Sequence, residues 1–584
     1  MSKISLGDVA RRSFAVLVVF TLIALCATHI AITLTNTSLY TLHTPFQDQF
    51  RLTLRYLTVP FPLSVFELEN GHRPVIPGVL RWIELKYFSG RQALQVVTAW
   101  GAALGAAALL MRMCWREMDV VRVSAVACAI ASTVFWNANA RMFIHAYEAT
   151  HVFFIFASLI VALSLVTCDG AVTTKQVLLA CLAAVVATFS FGPGIIVHGT
   201  IVGLLVVRRV PWPRVALALG VAVTIYVLYS YVLPGAVGVR ASSGAVSWIN
   251  TSYFVWLRAC AYWVEMLLPW GYVDGTGLGV CLTVFGTVLA YTAYCTVRLW
   301  LDKAPMSRCT LVGIGLMMFG LLTNLLIAVN RTELFLLNPS DAIAERYLFW
   351  SALVWLGVAL FWLSTTSPFV TKAGTAIVFA VVFTAAFAIP KAHWWRAWSV
   401  STYRVVELTA TAYEQRIPHD HRIFEIAGSD IPATLQSVAT MRTAKVMAFA
   451  SDAGDWMGQT LKLDLSTAAA PHFAAIESAI DTRNLPQGTE WRIIDSEIPR
   501  LLAHKTAAQN FWLADSKRRV VGRCARTGTR CDADDYSRYL RPIYNKIGCY
   551  AQLDAAYPVM LIGIQDQTTV VIGVLDFSPT VKSP

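Results

Sequence analysis

SFAVLVVFTLIALCATHIAITL, Ser13 to Leu34, runs for 22 residues without an aspartate, glutamate, lysine or arginine. At about 1.5 Å per residue a helix of that length crosses a hydrocarbon core of roughly 30 Å. Lys3, Arg11 and Arg12 precede it, so its first end is expected to stay in the cytoplasm and its second to emerge outside. The run is longer than a signal-peptide core, and no small-x-small cleavage site follows. It reads as an uncleaved first span.

Outward from that helix the same pattern repeats. Apolar runs recur at about Leu94–Met111, Val121–Trp136, His151–Val166, Val177–Phe189, Gly194–Val207, Val215–Leu233, Leu278–Val297, Leu311–Val329, Leu348–Leu363 and Thr375–Ile389. Basic residues fall in every second connection: Arg112/Arg116/Arg122, Lys175, Arg208/Arg209/Arg214, Arg298/Lys303/Arg308 and Lys372. These connections are short, where the positive-inside bias is strongest. The count is about eleven spans, with the N-terminus cytoplasmic and the C-terminus outside. Phe254–Trp270 contains Arg258 and Glu265; counting it as a crossing would put Arg298–Arg308 outside, so it reads as re-entrant or interfacial. The alternative is a twelfth crossing with an inverted second half.

Composition agrees with a membrane protein. Of the 584 residues 56% are hydrophobic and 14% charged, against about a quarter charged in a soluble domain. The net charge of +12 is spread in small clusters beside apolar runs. That is the signature of topology, and it argues against a nucleic-acid partner. The expected fold class is therefore an all-α polytopic membrane bundle over residues 1–390, with a large outer loop at 36–91 and an outer, soluble α+β domain at 391–584.

Within the tail, His393, Trp394 and Trp395 read as an interfacial belt. Residues 403–448 carry helical spacing, with Val405, Val406 and Leu408 early and Leu435, Val438 and Met441 later. From about Glu490 the runs EWRIID, RRVVG, VMLIGI and TVVIGVLDF become short and β-rich, suggesting a small β-sandwich-like unit. Nine of the twelve cysteines lie in or beside apolar runs, and no CxxC pair with metal-ligand spacing is present. In an oxidising compartment Cys524 and Cys531 are expected to close a small loop, leaving Cys549 unpaired; three buried thiols are the alternative.

The richest polar stretch is the loop after the first span. It holds TPFQDQFRLTLRY (from Thr44) and FELENGHRPVIPGVLRWIELKYFSGR (from Phe66), mixing charges with large apolar residues as surface-lying helices do. Pro60, Pro62, Pro74 and Pro77 break it into pieces. A first helix, a large outer loop with an early acid (Asp48), many further spans and an outer soluble domain resemble the plan of the GT-C-type membrane glycosyltransferases. ENGHRPVIPGVL (from Glu69), FSFGPGIIV (from Phe189) and AERYLFW (from Ala344) are similar to short motifs of uncharacterised bacterial members. Many of those enzymes carry two adjacent acids after the first helix, whereas FQDQF has only Asp48. Glu67 or Glu69 then stands as a second carboxylate.

The resemblance implies transfer of a sugar from a polyprenyl-phosphate carrier to a cell-envelope glycan, lipid or protein, at the periplasmic face of a bacterial inner membrane. A carboxylate takes the acceptor's proton, with Asp48 as the first candidate. A fixed cation steadies the departing lipid phosphate, with Arg73 and Arg346 as candidates. His72 and Glu69 are candidate substrate-binding groups, and a divalent metal ion is the one cofactor the resemblance leaves open. His145, Tyr147, Glu148 and His151 have spacings that a helix brings to one face; a hydrogen-bonded surface fits them better than a metal site. The FGPG tract, Phe191–Gly194, reads as a turn, since it has neither the lysine nor the spacing of a P-loop. Two other classes of function fit the architecture: a lipid or solute transporter or flippase, and a sensor or scaffold with an outer ligand-binding domain. A transporter is expected to carry related halves and charges near the midplane, and neither is evident here.

Overall fold

The computed structural model describes residues 6–42, 44–69, 71–116, 118–136, 140–233, 253–267, 276–338, 342, 344–364, 406, 408–411, 431–450, 456–461, 470–479, 491–499, 511–530, 544–552, 558–565 and 568–577. The expected span at 375–389, the His393–Trp395 belt and Cys531 lie outside them. By internal packing the chain forms two units, residues 1–33, 65–80 and 95–395, and residues 34–64, 81–94 and 396–584.

The first unit is helical. In chain order α1 (Leu6–Tyr40) comes first, and the outer-loop stretch then supplies α2 (Gln49–Thr58), which belongs to the second unit, α3 (Leu63–Phe66) and α4 (Val75–Tyr87), which passes into the second unit from Arg81. There follow α5 (Ala93–Trp115), α6 (Val120–Val134), α7 (Ala140–Ile144), α8 (Ala146–Val166), α9 (Thr174–Thr188), α10 (Ile196–Val207) and α11 (Trp212–Val227), which continues as one π turn over Leu228–Val232. Next come α12 (Tyr253–Met266), α13 (Thr276–Leu301), α14 (Arg308–Leu337) and α15 (Glu345–Ser364). Six segments among the described residues are long and apolar enough to cross a membrane: Val16–Thr35, Ala93–Trp115, Ala146–Val166, Trp212–Val232, Arg308–Leu337 and Arg346–Ser364. The protein is a multi-pass membrane protein. The helix α12 spans 14 residues, about 21 Å, which is shorter than the hydrocarbon core. It is tied to α14 by the Tyr262 hydroxyl, which donates to the Phe335 carbonyl at 3.0 Å, and by the Trp263 indole, which donates to the Leu321 carbonyl at 3.1 Å.

In lipid, helices gain little from apolar burial and associate through close packing. Helices α14 and α15 show how the sequence provides it. A Cβ on Gly313 would meet the Gly357 carbonyl oxygen at 2.7 Å, and one on Gly320 would meet the Trp350 carbonyl oxygen at 2.8 Å. These glycines let the two backbones touch. Phe349, next to that seam, sets its ring edge-on to Phe153 and Phe156 of α8 at 5.8 and 5.4 Å.

In the second unit, α16 (Ile431–Ala444) forms where the later helical spacing is read; Val438 and Met441 are buried. It packs on α2, with the Ser437 hydroxyl donating to the Phe50 carbonyl. Seven strands follow: β1 (His472–Ala479), β2 (Trp491–Pro499), β3 (Phe511–Ala514), β4 (Val520–Arg530), β5 (Tyr544–Gln552), β6 (Val559–Gln565) and β7 (Thr568–Phe577). The β-sandwich expectation is corrected here. The strands run in the order β1-β2-β5-β4-β3-β6-β7 and close into one barrel, because β1 pairs antiparallel with β2 and parallel with β7. Strand β3 explains why these runs read as continuously apolar. Phe511 and Leu513 point into one buried cluster with Ile494, Ile547 and Leu561, while Trp512 and Ala514 join another with Leu461 and Met560. Both faces are covered, so period-two alternation is lost.

The cysteine expectation is corrected too. Cys524 of β4 lies opposite Cys549 of β5 and the two form a disulfide. Strand β4 continues extended to Arg530, carrying the chain about 20 Å away from Cys524 at 3.3 Å per residue. With Cys524 bonded to Cys549, the expected Cys524–Cys531 loop does not form.

Candidate functional site

The ENGHRP segment folds as a tight turn. Glu69 and His72 exchange both backbone N–H···O bonds at 2.8 Å, and Gly71 sits at φ +79°, a region open to glycine at little cost. The turn directs Arg73 inward. Arg73 is 0% exposed, and its guanidinium donates to the carbonyls of Phe66 (2.9 Å), Tyr229 (3.3 Å) and Leu233 (2.8 Å). Its backbone N–H donates to the Tyr229 hydroxyl at 3.0 Å. Tyr229 lies in the π turn that continues α11 and Leu233 is its C-cap, where carbonyls lack helical partners. Arg73 thus caps that helix end with a cation, the favourable sign for a C-terminus. Desolvation holds its pKa below the ordinary arginine value.

His72 is only half-buried and its ring meets Phe191 at 4.5 Å. Phe191 belongs to the FSFGPG segment, where a 3₁₀ turn, Gly192–Ile195, precedes α10. The two segments fit closely. The Ile76 N–H donates to the Phe189 carbonyl at 3.0 Å, a Cβ on Gly192 would overlap the His72 ring, and one on Gly194 would overlap the Ala187 carbonyl. FGPG therefore acts as the turn expected of it and as a seat for His72. Desolvation pushes the His72 pKa down to about 4, and the charge of Arg331 adds to this. His72 is neutral at pH 7 and can both donate and accept hydrogen bonds.

Beyond Phe191 the rings continue. Phe191 stacks on His151 at 4.5 Å with 7° between planes, His151 meets Tyr147 edge-on at 4.5 Å, and Tyr147 stacks on His145 at 5.6 Å. Two acids flank this row. Glu69, 2% exposed, brings Oε1 within 4.0 Å of His151 Nε2. Glu148 forms a 2.7 Å ion pair with Arg141 and lies 3.9 Å from His145 Nδ1. The four residues His145, Tyr147, Glu148 and His151 do converge, as a buried ring stack beside the Arg141–Glu148 ion pair. Among the described residues no group of three or more His, Cys, Asp or Glu side chains is arranged to hold a metal ion.

Arg346, in the first turn of α15, is partly exposed and lies 4.9 Å above the Tyr347 ring. Asp48 belongs to the second unit. It stands at the N-cap position of α2 yet makes no side-chain capping bond. Thr44, Pro45, Phe46, Gln49 and Phe50 around it are buried, whereas the Asp48 side chain is 49% exposed and pairs with Arg51 at 3.5 Å. Sequence reasoning missed Arg141, Tyr229 and Arg331. The signal for Arg331 was available, a lone cation near the end of a long apolar helix. Arg141 and Tyr229 are recognisable only through their partners.

No family model matches the chain, and no curated protein matches it. Among solved structures it is similar to the crystal structure of ArnT from Cupriavidus metallidurans bound to undecaprenyl phosphate, with a TM-score of 0.36 and 15% identity over 73% of this chain and 76% of that one. It is also similar to the apo crystal structure of ArnT from the same organism, with a TM-score of 0.35 and 14% identity over 76% of each chain.

Proposed function

We propose that this protein is a membrane glycosyltransferase that moves a sugar from a polyprenyl-phosphate carrier to a cell-envelope acceptor at the outer face of a bacterial inner membrane. The observation that carries the reading is the meeting of the ENGHRP and FSFGPG segments at one end of a membrane bundle, with His72 half-buried and the groups behind it buried. Exposure divides the labour. Groups that touch substrate must be reachable, which favours Asp48, His72 and Arg346 for direct contact and assigns the buried Arg73 and Glu69 to positioning the turn.

In this scheme a carboxylate removes the proton from the acceptor hydroxyl as its oxygen attacks the anomeric carbon, and Asp48 is the candidate for that base. The bond from that carbon to the carrier phosphate breaks, and the phosphate leaves with an added negative charge. Arg346 meets that charge, helped by Arg331. Neutral His72 hydrogen-bonds the sugar or the phosphate. A single displacement inverts the anomeric centre. The Cys524–Cys549 disulfide supports an oxidising compartment for the tail, hence the periplasmic side.

The test uses membranes carrying the full chain and a set of synthetic polyprenyl-phosphate hexoses and pentoses. Asp48→Asn and Arg346→Gln should each lower transfer about 100-fold or more at unchanged protein level. Full transfer by Asp48→Asn would remove Asp48 as the base; absence of transfer from every donor by the wild type would remove the proposed reaction.

A further inference from the structure

At the opposite end of α8 from His145 and His151, several helix ends carry arginines. Arg208 donates to the carbonyls of Val166 and Gly170 (2.6 and 2.8 Å), Arg214 to that of Val172 (2.6 Å) and Arg308 to that of Ser164 (2.9 Å). Cys114 and Cys309 bring the end of α5 against the start of α14, with their sulfurs 3.2 Å apart. Between these ends lies a pocket of about 150 Å³ lined by Arg112, Met113, Arg116, Asp169 and Arg308. That volume is far above the ~10–15 Å³ that holds one water.

The lining has three arginines against one aspartate. Arg112 and Arg116 form no ion pair among the described residues. Their charges are not consumed by the fold, in contrast to Arg208, Arg214 and Arg308, which hold carbonyls. The pocket also lies at interfacial depth. Trp115, beside it, is 64% exposed, and Trp212 at the start of α11 is 67% exposed, as tryptophans of a membrane-water boundary are. From Ala146 to Val166 α8 rises about 30 Å, the thickness of a hydrocarbon core, and the His72 region lies toward its first end and the pocket at its second, hence toward opposite leaflets.

We infer that this pocket binds the phosphate headgroup of an anionic glycerophospholipid in the leaflet opposite the proposed catalytic face. Arg112 and Arg116 take the phosphate oxygens through their planar donor forks, Met113 meets the first apolar atoms of the lipid, and Asp169 accepts a hydrogen bond from a headgroup hydroxyl. The inference does not depend on the transferase reading.

The test is a thermal-shift titration of the purified full chain in neutral detergent. The probes are phosphatidylglycerol in mixed micelles, phosphatidylcholine in matched micelles, and inorganic phosphate. Phosphatidylglycerol should raise the unfolding temperature of the wild type, and phosphatidylcholine and free phosphate should not. Arg112→Gln with Arg116→Gln should weaken the response about 30-fold, at about a factor of five per arginine near an anionic lipid. Arg112→Lys with Arg116→Lys, which keeps the charge but lacks the planar fork, should lose part of it, and serves if the first pair fails to fold, an unchanged response from the lysine pair overturning the fork contact. An equal response from the glutamine pair, or from the wild type with phosphatidylcholine, overturns the site. Saturation by inorganic phosphate alone overturns the lipid as its occupant.

Discussion

Replacing Arg73 separates two roles that one residue type can play. Each of the carbonyls of Phe66, Tyr229 and Leu233 receives one bond from the guanidinium of the buried Arg73, in a part-buried setting. An unsatisfied buried polar group costs about 1–3 kcal/mol. Partial relaxation and the π turn's own adjustability argue for the low end, so Arg73→Met, which keeps the volume, should destabilise the helical unit by about 3–5 kcal/mol. Arg73→Lys, whose single ammonium cannot span three carbonyls, should recover only part of this. The measurement is thermal inactivation and unfolding of the purified protein in detergent, with protease sensitivity near Tyr229 as a local readout. A variant with wild-type stability that has lost sugar transfer would refute the reasoning, because it would mean that Arg73 serves the substrate phosphate.

Four further outcomes follow from the same geometry. His72 has a folded pKa of about 4 against about 6.5 unfolded, so the unfolded chain binds the extra proton between those values and stability rises with pH there. Unfolding followed from pH 7 to pH 4 should therefore show a loss that begins near 6.5 and that His72→Gln abolishes. Gly192→Ala should cost about 1–3 kcal/mol by displacing the His72 ring, and Gly194→Ala more, since its obstacle is the Ala187 backbone; detergent-stable yield of the two variants ranks them. Reducing the Cys524–Cys549 bond, which closes 25 residues, should destabilise the barrel by about 3.5 kcal/mol on the loop-entropy estimate, read as a lower barrel transition in calorimetry with reductant. Asp48→Asn should leave unfolding unchanged within about 0.5 kcal/mol, because its pair with Arg51 is exposed; a large loss of stability would show that the carboxylate is structural.

How much of this was legible in the chain depends on the distance over which each feature is decided. The first span was readable because 22 residues without Asp, Glu, Lys or Arg specify a membrane helix locally, and α16 because Val438 and Met441 recur at helical spacing within one segment. The barrel strands were visible as runs, but their closure was not: it rests on β1 meeting β7 across roughly a hundred residues, which no local pattern encodes. The disulfide failed for the same reason, since the register of β4 on β5 selects Cys549 and rejects the nearer Cys531. At the candidate site, the ENGHRP and FSFGPG motifs stood out individually. Their contact through His72 and Phe191, and the use of Arg73 as a cap for a helix that ends 160 residues later, are properties of the packed bundle. Charge type suggested phosphate for Arg73, and its bonds to three carbonyls are visible only in the packed structure.

The most direct test of the proposed transferase is a lipid comparison in the cell that carries the gene. Membrane extracts from the wild type, a deletion strain, and deletion strains complemented with the wild-type chain or with Asp48→Asn would be compared by mass spectrometry for polyprenyl-phosphate sugars and envelope glycans. The account predicts that one polyprenyl-phosphate hexose or pentose accumulates in the deletion and in the Asp48→Asn strain, with the matching sugar missing from an envelope component, and that the wild-type chain reverses both. Identical polyprenyl-phosphate sugars and identical envelope glycans across all four strains would contradict it.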